Sequence, residues 1–381
     1  MTRVLELLVS LLIVAVLIVV IGLLLPSHGH VERQTEVSSP LRQIFDSVNT
    51  LRRFPEWSPE RRLDPQLHME YSGPRTGVGA SVSYRGNELV GEGKLTISAS
   101  DEDSQVKMDV VNNFAGENKT YTITLNPSEN GKTTIVWAYD VDYGWDLMWR
   151  YAGLYIHGKP DATVQTAVAN MANMLASFPN VDYKDQDIEV TEVTGVPVLV
   201  LSTKSPRSLD EVDEATAQAV AKIEAVMKKA GLNQAGPVRT VTSNWGDDNY
   251  AFDVSVPVDS ATFTMNGQTY TITAPVVSDT VEDDMGEAKP AELKTGDHDE
   301  DGYLVVEDGV RAKISYSGLA LTTEYTGSPA ALPLLRLQEK AYAETHGYLY
   351  SEMNGGRFWN EVSATAEDGT QTFKVYLPIE P

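Results

Sequence analysis

Between residues 297 and 308 the chain reads Asp297-His298-Asp299-Glu300-Asp301-Gly302, passes through Leu304 and closes on Asp308. Carboxylates at the first, third and fifth places, glycine at the sixth and a carboxylate at the twelfth follow the calcium-loop pattern D-x-D-x-D-G-x5-E, with Asp for the closing Glu. Calcium takes about 6–8 oxygens, and the glycine permits the sharp turn the loop needs. Asp297, Asp299, Asp301 and Asp308 would then be ligands of a Ca2+ ion. The competing reading is a solvated acidic loop, because the flanks pattern as strands rather than as helices. Other chemistry-bearing types are sparse. Cysteine is absent, which removes thiol catalysis, disulfides and cysteine metal sites. His68 and His157 stand alone and read as surface or capping residues, so no nucleophile–base pair is visible. A set of aromatics, Trp245, Tyr250, Tyr348, Tyr350, Phe358 and Trp359, could wall a binding cleft. Aromatic faces attract organic cations, and they also fill cores.

The bulk charge narrows the partners. A formal net charge of −24 with pI near 4.6 has the wrong sign for a phosphate-binding surface, so nucleic acid is not an expected partner. The acid is uneven: from Ser278 to Asp308 there are 12 Asp and Glu against 2 Lys. That block belongs to an insertion at about 259–308. Within it, residues 262–272 around Asn266-Gly267 pattern as a hairpin.

These residues sit behind an apolar N-terminus. From Leu7 to Leu25 no residue is charged. About 20 apolar residues at about 1.5 Å rise each cross a bilayer core of about 30 Å. Residues 4–25 are expected to span the lipid bilayer once, as a retained anchor. A cleaved signal would have a shorter apolar run and a small-x-small exit, whereas this one leaves through Leu25-Pro26-Ser27. Arg3 and the amino terminus stay inside by the positive-inside rule. The expected location is the inner membrane of a bacterial envelope, with the soluble part facing the periplasm. Residues 1–29 are then anchor and linker, and the rest is long enough for two ordinary domains.

The first domain, 30–180, opens with an alternating strand at His30–Ser38. A short helix at Leu41–Val48 carries Ile44, Phe45 and Val48 on one face, and an irregular proline-rich stretch follows at 54–59. From Leu67 to Tyr143 only strand signals occur, separated by turns. A long helix starts at Pro160, with Val164, Val168, Met171, Leu175 and Phe178 on one stripe. The segments Val31-Glu32-Arg33, Ser39-Pro40…Ile44-Phe45 and Phe54…Trp57-Ser58-Pro59 resemble the opening of the polyketide-cyclase branch of the START-like (SRPBCC) superfamily. The resemblance implies a helix-grip fold holding an apolar ligand between sheet and last helix, with Trp57 near the pocket or packing its mouth. In a minority of members it implies cyclase chemistry. The aromatics Tyr143, Trp145, Trp149, Tyr151 and Tyr155 precede the last helix among glycines and read as a lip or as packing.

The second domain, 186–381, repeats itself. Phe252-Asp253-Val254-Ser255-Val256-Pro257-Val258 parallels Phe373-Lys374-Val375-Tyr376-Leu377-Pro378-Ile379, 121 residues on. Ser205-Pro206 parallels Ser328-Pro329 at an offset of 123. A helix follows each Ser-Pro: one capped by Ser208 with Glu211 and stopping at Gly231, the other at about 331–346. Two strand-helix-strand-strand units about a pseudo-twofold are expected. The pattern resembles the GyrI-like effector-binding domain. That resemblance implies a cleft between the units, and it gives Glu361 in the last hairpin the role of pairing a cationic ligand or acting as a base.

The expected fold class is therefore α+β. The expected function is membrane-anchored binding of an apolar or cationic small molecule, without catalysis and with no cofactor beyond the possible Ca2+. Two alternatives stay open: an enzyme, cyclase in the first domain or hydrolase through Glu361, and an envelope scaffold with degenerate pockets.

Overall fold

The computed structural model describes residues 2–246, 248–275, 293–350 and 357–380. The chain divides into two compact units, residues 1–184 with 344–347 and residues 185–343 with 348–381. The architecture is α+β throughout.

Helix α1, Thr2–Leu24, is 23 residues long, about 35 Å at the α-helical rise. Its leucines, valines and isoleucines point outward on all sides. A helix that is apolar all round has no polar face to offer water.

The rest of the first unit is a seven-stranded antiparallel sheet with helices against one side. Strand β1 (His28–Val37) leads into α2 (Leu41–Val48), α3 (Phe54–Trp57) and α4 (Pro59–Leu63). Residues 54–59, expected to be irregular, fold into these last two short helices. Proline stands in the first turn of each, where a missing N–H costs nothing. The sheet continues through β2 (His68–Ser72), β3 (Ser81–Arg85), β4 (Glu92–Asp101), β5 (Gln105–Val111), β6 (Glu117–Pro127) and β7 (Thr133–Asp142). The strand order is β1-β7-β6-β5-β4-β3-β2, so the first strand closes the meander by pairing with the last. Short α5 (Leu147–Ala152) and long α6 (Lys159–Ser177) follow. Along α6 the residues Val164, Val168, Met171 and Leu175 are buried, as their stripe requires. A meander gripped by its C-terminal helix is the helix-grip arrangement.

The second unit is built on one nine-stranded sheet. Its strands are β8 (Glu189–Val193), β9 (Pro197–Pro206), β10 (Arg239–Trp245), β11 (Asn249–Pro257), β14 (Leu304–Glu307), β15 (Val310–Ile314), β16 (Gly318–Gly327), β17 (Trp359–Thr365) and β18 (Gln371–Pro378). Two helices, α7 (Leu209–Ala230) and α8 (Leu332–His346), connect them. The strand order β14-β15-β9-β11-β10-β17-β18-β16-β8 contains the duplication. One unit is β9-α7-β10-β11 and the other β16-α8-β17-β18, and their inner strands β10 and β17 pair antiparallel. The pseudo-twofold passes where Arg239 opposes Glu361 and Thr240 opposes Asn360.

Local signals explain the helix. Ser208 Oγ accepts from Glu211 N, acids fill the first turn, lysines the last, and Gly231 closes it at φ 71°, a left-handed position that glycine takes without a Cβ clash. The expected hairpin forms as β12 (Thr262–Met265) and β13 (Gln268–Thr271). Asn266 and Gly267 turn it at φ 52° and 78°, the paired positive φ of a type I′ turn. The acidic run falls in part on residues 276–292, outside the described residues.

Candidate functional site

In a helix grip the expected ligand space lies between sheet and last helix. Here that space is filled. Trp57 and Trp137 meet edge to face at 5.1 Å. Phe54 lies 5.0 Å from Trp57 and 5.4 Å from Tyr84, and Tyr121 meets Trp137 at 5.6 Å. All five are buried. What remains among them is about 10 Å3, room for at most a single water. Trp57 thus packs the interior rather than lining a hollow.

The second unit is different. A cavity of about 680 Å3 opens between α7 and α8. A second recess of about 400 Å3 shares Trp245, Pro333 and Arg336 with it. The floor is the middle of the sheet: Thr240 on β10, Tyr250 on β11, Asn360 and Val362 on β17, and Phe373 on β18. One wall is the first half of α7 with Leu209, Val212 and Thr216, and the other is Leu332, Pro333 and Arg336 of α8. The duplication puts the cavity there: two helices of equivalent origin flank two central strands and leave a cleft on the pseudo-twofold.

Polar groups are few and placed. Arg336, 9% exposed, donates from Nη2 to Asn360 Oδ1 at 2.8 Å. Its Nε is buried without a partner among the described residues. At the Ser-Pro offset of 123, the counterpart of Arg336 is Asp213, which lines the opposite wall on α7. At the mouth the Arg207 guanidinium lies 4.3 Å from the Trp245 ring centroid. Trp245 in turn meets Tyr250 at 4.7 Å. Arg357, in the smaller recess, lies 3.3 Å from Asp253 and donates to Ser243. Glu339, one turn beyond Arg336, is fully buried. Burial pushes its carboxyl well above the ordinary range, and the Arg336 charge opposes this only in part. The Thr323 backbone N–H also opposes it, without a full hydrogen-bond geometry.

Of the residues expected from sequence, Trp245 and Tyr250 line the cavity and Phe358 the recess beside it. Trp359 and Glu361 belong to the right strand but to its other face. Side chains alternate along a strand, and Asn360 and Val362 take the cavity side. Trp359 stacks on Tyr376 at 4.6 Å and 10°. Glu361 lies 3.2 Å from Arg239 and accepts from Tyr376 Oη. Tyr348 is buried and Tyr350 half-buried, and neither lines the cavity. In the acidic loop, Asp299 accepts from the Asp301 and Tyr303 amides and pairs with Arg311 at 2.7 Å. Asp297 accepts from Lys294 N, and Asp308 turns the β14–β15 hairpin at φ 52°. Among the described residues no group of three Asp, Glu or His is placed to hold a metal ion. Arg336 and Asn360 were not anticipated from sequence.

No protein-family model matches the chain, and no curated protein sequence matches it. Solved structures do overlap with it. The EcmrR C-terminal domain shares 12% identity and a TM-score of 0.34, over 51% of this chain and 98% of that one. Truncated norcoclaurine synthase from Thalictrum flavum shares 17% identity and a TM-score of 0.32, over 39% of this chain and 94% of that one. Ara h 8.0201 shares 13% identity and a TM-score of 0.31, over 39% and 99%. These overlaps are modest, and the fold assignment rests on the strand order described above.

Proposed function

We propose that the protein is a membrane-tethered binding protein that holds a small amphipathic molecule between α7 and α8, without catalysis. The single observation that carries the reading is the contrast between about 680 Å3 of apolar-walled space in the second unit and about 10 Å3 between sheet and last helix in the first, whose larger recess of about 500 Å3 is lined by charged and polar side chains of the sheet, His68, Glu70, Arg85, Glu92 and Lys94 among them. Ligand sites are typically clefts of about 300–1,000 Å3 with a few placed polar groups. The second unit fits that description with Trp245, Tyr250, Leu332 and Phe373 as walls and Arg336 and Asn360 as polar anchors. The first unit takes the scaffold role, its pocket closed by its own aromatics. The tether is α1, uncharged from Leu7 onward and long enough to span, with the soluble units outside by the charge rule. It holds the binding unit where lipid-soluble molecules concentrate. Glu361, engaged by Arg239 and Tyr376, supports no hydrolase reading.

The test is a thermal-shift screen of the full chain in detergent against small aromatic and alkyl amphiphiles, repeated on Val212→Trp, which fills the cavity from α7. Stabilisation of wild type, absent in Val212→Trp, is expected. Equal shifts in both would remove the site, and no shift in either would remove the function.

A further inference from the structure

We infer that the guest of this cavity carries a negative charge, which Arg336 and Asn360 receive. The inference rests on the binding reading above and adds the sign and place of the ligand's polar end. A guanidinium that is nine-tenths buried needs a counter-charge. The neutral amide oxygen of Asn360 takes Nη2, and Nε has no acceptor among the described residues. The nearest acid on its helix, Glu339, is sealed from solvent, and neither of its carboxyl oxygens takes a hydrogen bond from the guanidinium or from any other described group. Asp213 lies across the cleft on an exposed stretch of α7, where water screens it. Of the other cations at the recess, Arg357 is matched by Asp253. The pocket thus offers an unmet donor on a buried positive charge beside aromatic walls. A planar fork suits a carboxylate, a sulfonate or a phosphate monoester. The guest class is an aromatic or alkyl body with one such group.

Calorimetric titration of the full chain with 2-naphthoate, 2-naphthamide and 2-naphthylmethylammonium tests this, because the three share a ring system and differ in charge. Naphthoate is expected to bind about tenfold or more tighter than the amide, equivalent to about 1.4 kcal/mol, and the ammonium weakest. Arg336→Gln should erase the preference of naphthoate over the amide. Asn360→Asp, which neutralises the guanidinium without removing it, should do the same if Arg336→Gln fails to fold. Equal binding of naphthoate and amide overturns the inference and leaves the cavity a binding site. No binding of any of the three at millimolar concentration overturns the function itself.

A separate observation concerns the tether. Helix α5 packs on the last two turns of α1: a Cβ on Gly22 would meet Leu147 Cδ2 at 3.1 Å and Tyr151 Cε2 at 3.2 Å. Tyr151 Oη donates to Ile18 O at 2.7 Å. Arg150, buried, donates to the carbonyls of Leu23 and Leu25, which the helix end leaves unpaired. Away from α1 the same segment exposes Trp145 at 83%, Met148 at 78% and Tyr155 at 76%. If hydrocarbon reaches Leu25, Ile18 lies about 10 Å deeper at about 1.5 Å per residue. A helix bonded at that level cannot stand clear of the bilayer. We propose that α5 lies in the outer lipid interface, where tryptophan and tyrosine favour the headgroup boundary. This rests on α1 spanning the membrane. The chain has no cysteine, so single nitroxides at Leu12→Cys, Met148→Cys and Glu129→Cys in lipid nanodiscs report cleanly. Oxygen-dominated relaxation at 12 and 148 with nickel-chelate-dominated relaxation at 129 is expected. Water access at 148 with lipid access at 12 overturns the interfacial helix alone, and water access at 12 overturns the anchor.

Discussion

Truncating Trp137 to alanine tests whether the first unit is a solid support. Trp137 is fully buried and holds two edge-to-face partners, Trp57 at 5.1 Å and Tyr121 at 5.6 Å. Removing a core tryptophan costs about 3–5 kcal/mol, and each aromatic pair adds about 0.5–1.5 kcal/mol to plain burial. The loss should fall in the upper half of that range, because little space exists for neighbours to move into before the change. For a domain of this size each kcal/mol shifts Tm by about 2–4 °C, so the first-unit transition should fall by about 8–20 °C. Near-ultraviolet dichroism of the full chain in detergent follows it, with the second-unit transition as internal reference. The vacated space is apolar, and dry apolar cavities admit small aromatics, so added indole should restore part of the loss. A shift below about 3 °C with no indole effect would mean that Trp137 lines an open hollow and that the first unit is not a filled scaffold.

Other changes probe the second unit. Trp245→Ala removes a side chain that is 41% exposed at the cavity mouth. It should weaken naphthoate about tenfold in calorimetry while moving Tm by less than about 2 °C. Glu361→Gln breaks the pair with Arg239. It should cost about 1–2 kcal/mol in denaturant titration and leave ligand affinity unchanged; lost affinity would return Glu361 to the site. Burial pushes the Lys313 ammonium down to about 8, below the ordinary lysine value of about 10.4. Between those values the unfolded chain binds more protons, so second-unit stability should rise with pH there and stay flat from this group below about 8. Lys313→Met should remove that rise, as seen in Tm measured from pH 7 to 10.

The duplication was legible because both copies of a strand end in proline at matching offsets, and β11 and β18 bear this out. Capping at Ser208 and Gly231 likewise reads directly from side-chain chemistry. The face of β17 did not read, because Trp359-Asn360-Glu361-Val362 alternates large and polar residues on both sides. Only the register against β10 and β18 assigns Asn360 and Val362 to the cavity. Arg336 was hidden in a helix with leucines around its circumference: Leu335 is buried while Leu334 and Leu337 are exposed, so no stripe marks the inward face. The filled first interior was also out of reach, since Trp57 and Trp137 are 80 residues apart and either one alone is equally a pocket wall. The prolines at 55 and 59 suggested irregular chain, yet a first-turn proline starts a helix as readily as it stops one.

The most direct measurement is photo-crosslinking of the full chain with an azido derivative of 2-naphthoate, followed by peptide mapping. Label confined to 207–217, 237–250, 329–340 and 360–373 is predicted, with competition by unmodified naphthoate. Label concentrated on α6 or on the strands around Trp137, competed in the same way, would contradict the account by placing the guest in the first unit.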